Sequence, residues 1–171
     1  MRRSGVVVAV GFLFAGLCAA SCNDATQAML SISTPAVCEG GNGQGSGPEG
    51  LSITDAVIYI GSSYKELDEN QEVGNAVAQV SCAAIKDARK PSTLVLVPNE
   101  KNEAFVRVVA GTKFVSGSSF VRKPADLCKP TTTDACIRAT RQFKYIPHAT
   151  VQLPIVLHPS CVGSTCKGEE T

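Results

Sequence analysis

Residues 136–157 read CIRATRQFKYIPHATVQLPIVL, and the periodicity of this stretch decides the fold class. Ile137, Ala139, Phe143 and Tyr145 fall on one side at period two, and Arg138, Thr140, Gln142 and Lys144 fall on the other. Val151, Leu153, Ile155 and Leu157 resume the same spacing. Side chains alternate faces in extended chain, so the pattern predicts two half-buried strands joined by a turn at Ile146-Pro147-His148, an organising hairpin. A lone ribbon leaves its apolar face wet, so the rest of the chain must supply sheet to cover it.

Upstream, residues 92–97 (STLVLV) and 104–110 (AFVRVVA) are β-branched runs separated by the polar insert PNEKNE, the pattern of a second hairpin. Residues 111–123 read as a ragged strand or crossover, and 123–134 as a loop clipped by its own cysteines. Residues 51–60 (LSITDAVIYI) are apolar on both faces near their end, as in a central strand. In residues 26–33 (TQAMLSIS), Ala28, Leu30 and Ile32 alternate with polar neighbours and Met29, giving an early strand. Residues 77–83 form one more, tied by Cys82. Seven or eight short strands without a long amphipathic helix predict an all-β, disulfide-stapled antiparallel β-sandwich of immunoglobulin-like, Greek-key type, with a closed barrel as second choice.

Two segments read as surface loops. Residues 39–50 (EGGNGQGSGPEG) carry six glycines in twelve positions. They contain no G-x-x-x-x-G-K-[ST] and so no phosphate cradle. Residues 62–77 are polar, with a short helical turn at Tyr64-Lys65-Glu66-Leu67. Asp68, Asn70, Glu72 and Gly74 imitate a calcium loop, but the glycine is displaced and Gln79 stands where a bidentate glutamate closes such a site.

The address of the chain is written at its start. Arg2 and Arg3 precede an apolar run over residues 5–17, too short to span a bilayer, followed by Ala19, Ala20, Ser21 and Cys22. This resembles the bacterial lipoprotein signal, with Ala19 where leucine is usual. The resemblance implies cleavage after residue 21, acylation of Cys22 and a membrane contact through that lipid. The expected division is residues 1–21 signal, 22–25 lipidated tether, 26–160 sandwich domain and 161–171 a small cysteine-containing tail. Loss of Arg2 and Arg3 leaves 14 basic against 15 acidic side chains, and no basic run argues for nucleic acid.

Export fixes the meaning of the cysteines. With Cys18 removed and Cys22 lipidated, Cys38, Cys82, Cys128, Cys136, Cys161 and Cys166 remain, an even set for an oxidising compartment. Six cysteines allow 15 pairings. Proximity favours Cys128 with Cys136 and Cys161 with Cys166, which leaves Cys38 with Cys82. Neither close spacing suits a zinc knuckle, so no metal and no cofactor is expected.

Three stretches together look like a group of uncharacterised, predicted exported lipoproteins of myxobacterial type: ATQAMLSIST, STLVLVPNEKNEAFVRVVAG and CIRATRQFKYIPHATVQLPIVLHPSCVGSTC. The resemblance implies a module near the anchor of a surface or periplasmic lipoprotein, in the outer membrane or a periplasm-facing membrane. It brings no catalytic motif. His148 and His158 are the two imidazoles, each beside a proline at a turn or strand end, and neither G-x-S-x-G nor H-E-x-x-H is present. Arg141 interrupts the apolar face between Ala139 and Phe143, which predicts pairing with an acid such as Asp55 or snorkelling to the sheet edge. Three classes stand: a non-catalytic scaffold or adhesion module of the envelope, a carbohydrate- or peptide-binding receptor using loops 39–50 and 62–77, and a hydrolase that would need a histidine to meet a serine or carboxylate in a cleft. The expectation is the first, not an enzyme, with its protein or glycan partner unknown.

Overall fold

A computed structural model of the chain describes residues 26–39, 51–86, 93–98, 102–116, 119–131 and 135–167. In chain order the elements are β1 (Gln27–Ser33), β2 (Val37–Cys38), β3 (Ser52–Gly61), α1 (Tyr64–Val73), β4 (Ala78–Ser81), α2 (Cys82–Lys86), β5 (Thr93–Leu96), β6 (Glu103–Ser116), β7 (Ser119–Lys123), β8 (Cys136–Lys144), β9 (Thr150–Val156) and β10 (Thr165–Lys167), with 3-10 turns at Ala125–Leu127 and Pro159–Cys161.

The strands sort into two sheets. One has the order β5-β1-β9, and the other follows β10-β8-β6-β3-β2, with β4 also on β3 and β7 also on β6. Ala28, Leu30 and Ile32 of β1, Leu96 of β5, and Leu153 and Ile155 of β9 meet Ile53, Ala56, Ile58, Val106, Val108, Ala110, Ile137 and Phe143 of the larger sheet in one buried cluster. Period-two patterning is the direct cause, since every second residue of these strands points into the space shared by the sheets.

The larger sheet is covered on its other face as well. Val57, Tyr59, Phe105 and Val109 turn away from the first cluster and pack with Leu67 of α1 and with Ala125, Cys128 and Cys136. This second core explains why β3 and β6 are apolar on successive residues. A register shift in β3 between Ile53 and Ala56 keeps both residues on the same buried face despite their odd spacing.

Both expected hairpins are corrected. β8 pairs with β6 while β9 pairs with β1, and β5 pairs with β1 while β6 pairs with β3 and β8. Each of these connections therefore passes from one sheet to the other. Alternation specifies a face for each strand but not its neighbour, and a short polar linker suits a crossover as well as a turn. The hairpin of this region is β6–β7, whose pairing runs from Thr112↔Lys123 to Ser116↔Ser119. Nor is the fold antiparallel throughout: β1–β9, β2–β3 and β8–β10 are parallel pairs.

β7 and β8 lie end to end along one edge of β6, Lys123 opposite Thr112 and Cys136 opposite Gly111. Gly111 sits at that joint because there is no room for a side chain. A Cβ there would come within 2.5 Å of the Ala125 nitrogen and the Lys123 carbonyl oxygen.

Residues 62–77, read above as a loop with one helical turn at Tyr64 to Leu67, hold the ten-residue helix α1. Ser63 caps it by accepting from the Glu66 amide at 3.2 Å, while the Glu66 carboxylate accepts from the Ser62 amide and hydroxyl at 2.6 Å each. Gly74 ends it in the left-handed conformation, φ 76°. The helix buries only Leu67 and Gln71, one turn apart.

Candidate functional site

The crossover from β8 to β9 opens a cleft where the two sheets part. Its volume is about 710 Å³, within the ordinary range for ligand sites. Four consecutive residues of β8, Arg141, Gln142, Phe143 and Lys144, line one side, and Val151, Gln152, Leu153 and Pro154 of β9 line the other. Phe143 and Leu153 are buried and form the apolar floor. Phe143 is held edge-on by Tyr145, ring centroids 5.0 Å apart. Glu103 and Ile146 complete the lining, and Ile146 is exposed.

The charge around this cleft is two cations, Arg141 and Lys144, against the one carboxylate of Glu103. That carboxylate accepts a hydrogen bond from the Gln142 side-chain amide. A shallower depression adjoins it, lined by Ser62, Asn102, Phe105 and again Glu103 and Lys144. Arg141 shares its face with Ile137 and Phe143, as the alternation implies, and reaches the cleft. The suggested partner Asp55 lies elsewhere. Arg141 is opposite Val106, which is opposite Ile60, five residues along β3 from Asp55. The Asp55 carboxylate accepts instead from Thr54, Gln79 and the Ala125 amide.

On the far face of the larger sheet, two buried arginines organise the cover. Arg107, 6 % exposed, donates from Nε to Thr140 at 3.1 Å and from Nη1 to Asp68 at 2.5 Å and Gln71 at 2.9 Å. Gln71 passes the network on by donating to the Cys128 carbonyl at 2.6 Å. Arg138, 5 % exposed, donates to the carbonyls of Lys129 at 2.6 Å and Pro130 at 3.2 Å. Burial lowers the pKa of Arg138, and the neighbouring Arg107 charge adds to that, against the pull of Asp68. These donors bind α1 and the segment after β7 to the sheet, which is structural work. The sequence signal for them was a cation inside each of two strongly apolar runs, at Arg107 and Arg138.

The remaining sequence expectations fall as follows. Cys38 is joined to Cys82 and Cys128 to Cys136. Cys161 is disulfide-bonded, while the side chain of Cys166 lies outside the described residues. So does Cys22, and of residues 39–50 only Glu39 is described. Glu39 bridges Lys113 at 3.3 Å and Arg122 at 2.8 Å.

His158 meets Ser160, Nδ1 to Oγ 2.7 Å, but both are exposed and the same nitrogen accepts from the Ser160 amide at 3.2 Å. The pair caps the 3-10 turn at Pro159–Cys161 and lines neither cleft. His148, at φ 58°, donates its amide to the Thr26 hydroxyl at 2.9 Å. Among the described residues no three His, Cys, Asp or Glu side chains are grouped to hold a metal ion.

The disulfides indicate an oxidising, extracytoplasmic compartment. Among the described residues no helix is long and apolar enough to cross a membrane. Comparison with protein-family models, with curated proteins and with solved structures finds no match.

Proposed function

We propose that this chain is an exported cell-envelope protein, anchored through an acylated Cys22, whose two sheets form an immunoglobulin-like sandwich serving as a non-catalytic scaffold or adhesion module. The observation that carries the reading is the Cys38–Cys82 bridge, which spans 44 residues and ends at a Cys82 only 2 % exposed. A buried cross-link of that reach belongs to a chain matured outside the cytosol. Together with the lipobox-like Ala19-Ala20-Ser21-Cys22, it supports export by the lipoprotein route. The resemblance to myxobacterial-type lipoproteins belongs to the same proposal.

Cys22 stands four residues ahead of Thr26, so a lipid there tethers the domain within about 15 Å of the bilayer surface. The turn at Ile146 to Ala149 is at that same end, since the Gln27 amide donates to the Ala149 carbonyl at 3.1 Å. The sandwich reading is supported by the single apolar cluster to which both sheets contribute. The non-catalytic reading is supported by the local, solvent-exposed use of the His158 ring.

Mass spectrometry of the membrane fraction tests the anchor. The expected product is a chain that begins at a diacylated or triacylated Cys22, and Cys22→Ala is expected to move it out of that fraction. An unmodified amino terminus at Cys22 overturns the proposal.

A further inference from the structure

We infer that the outer face of the smaller sheet lies flat on a lipid bilayer, with β1 along the headgroups and α1 turned away from them. This deepens the reading of an anchored module and rests on it, since the lipid on Cys22 is what holds the domain at the surface.

The face is bare and carries no charge. Gln27, Met29, Ser31 and Ser33 of β1 point outward, alternating with the residues buried in the core. β9 sets Thr150, Gln152, Pro154 and Val156 beside them, all four exposed. On the other side Val95 pairs with Met29, and Val97 lies two residues further along on the same face. Val95, Val97 and Val156 are 50 %, 71 % and 55 % exposed. None of these side chains is ionisable. The polar ones bond to their neighbours across the strands: the Gln27 amide donates to the Thr150 hydroxyl at 2.9 Å, and the Gln152 amide to the Met29 sulfur at 3.7 Å. Pressed against headgroups, the face therefore buries no charge and strands few donors.

Two features choose a bilayer as the occupant. The first is reach. The tether leaves from β1, the middle strand of this face, and Cys22 stands four residues ahead of Thr26, which keeps the domain within about 15 Å of the lipid. A tether that short holds the face at an effective concentration of roughly millimolar or above, so a weak contact is enough.

The second is the charge of the opposite side. The larger sheet lies behind the first core, and α1 covers its far face. α1 carries Glu66, Asp68, Glu69 and Glu72 against Lys65, with Arg107 offsetting Asp68 from beneath. An anionic bilayer repels that side and accepts the neutral one. A second copy of the chain fits less well. Three strands about 4.8 Å apart and seven residues long present a flat area of roughly 350 Å², well below the 800 Å² or so that each partner gives a standard interface.

The test uses the full chain with its lipid in place, reconstituted into vesicles of phosphatidylethanolamine and phosphatidylglycerol. Val97→Cys, Val156→Cys and Lys65→Cys, all at exposed sites, each carry a fluorophore attached without reductant. Val97 is at the tether end of the face and Val156 at the far end. Quenching by a nitroxide on the lipid headgroup is expected to be about threefold stronger at positions 97 and 156 than at 65, as for a surface seated at headgroup level. Adding Val95→Glu is expected to bring position 156 down toward the value at 65. Strong quenching at 97 alone means a domain standing upright on its tether and overturns the inference. Quenching at 156 that disappears when the chain is diluted in lipid assigns the face to a second copy and also overturns it. Flotation keeps the two proposals apart. A chain that does not float with the vesicles removes the anchor and this inference together, whereas a floating chain with position 156 no more quenched than 65 removes this inference alone.

Discussion

Tyr145 donates its phenolic hydrogen to the carbonyl oxygen of Val97 at 3.2 Å, while its backbone amide donates to the carbonyl of Asn102 at 2.8 Å. One residue at the end of β8 thus grips both ends of the connection from β5 to β6, and the two crossovers between sheets are fastened to each other. Tyr145→Phe keeps the ring against Phe143 and removes one hydrogen bond. The expected cost is about 1 kcal/mol, read as a lower urea midpoint with an unchanged slope.

Arg107 is the more costly residue to remove. Its guanidinium supplies Thr140, Asp68 and Gln71 at once, and Gln71 is itself fully buried. Arg107→Ala strands those acceptors and is expected to cost about 3 kcal/mol in chemical denaturation. Arg107→Lys is expected to recover little of it, because a single ammonium cannot reproduce donors set at fixed angles on Nε and Nη1.

The Cys38–Cys82 and Cys128–Cys136 disulfides differ in the length of chain they close. In the chain-entropy account Cys38–Cys82, with a separation of 44, contributes about 4 kcal/mol, and Cys128–Cys136, with a separation of 8, about 2.5 kcal/mol. Thermal unfolding of the double serine variants is expected to rank them in that order. The reverse ranking would point to the second core, which Cys128 and Cys136 both help to build.

Stability is expected to fall at both ends of the pH scale. The hydrogen bond from Arg122 holds the Glu39 carboxyl below its ordinary value of 4.5, against a smaller opposing effect of burial. A depressed carboxyl stabilises fully above pH 4.5 and loses that contribution as the pH drops through the folded value, here no more than about 1 kcal/mol for a partly exposed pair. Burial pushes the phenols of Tyr59 and Tyr145 above 10.0, with Asp126 adding to the effect at Tyr59. The folded chain then keeps protons that the unfolded chain releases, so this contribution is complete below pH 10.0 and is lost as the pH rises through the folded values. Urea midpoints across pH are the measurement. Glu39→Gln is expected to flatten the acid limb, and Tyr145→Phe to reduce the alkaline one.

Strands were legible in the sequence because burial alternates along them, as in Ala28, Leu30 and Ile32 or Ile137 and Phe143. Their partners were not, because alternation says which side of a strand is wet and nothing about which sheet receives it. That is why β5–β6 and β8–β9 read as hairpins and are crossovers. Helix α1 was read only as a turn over Tyr64 to Leu67, because it buries just Leu67 and Gln71 and so shows no apolar stripe. The legible signal was punctuation instead, Ser63 three residues before Glu66 and Gly74 at the far end. The cleft was illegible for the same reason as the crossovers, since it exists only where β8 and β9 go to different sheets. Arg141 marked the place, as a cation on an otherwise apolar face.

β1 is the middle strand of its sheet, with Gln27 and Thr150 side by side across 123 intervening steps of chain. A polypeptide threaded through a translocase with its amino end leading therefore delivers its central strand first and that strand's parallel neighbour much later. In the interval both long edges of β1 are unsatisfied templates for any extended chain nearby. Those seven residues therefore stay open to wrong pairing until the carboxyl-terminal third has come through.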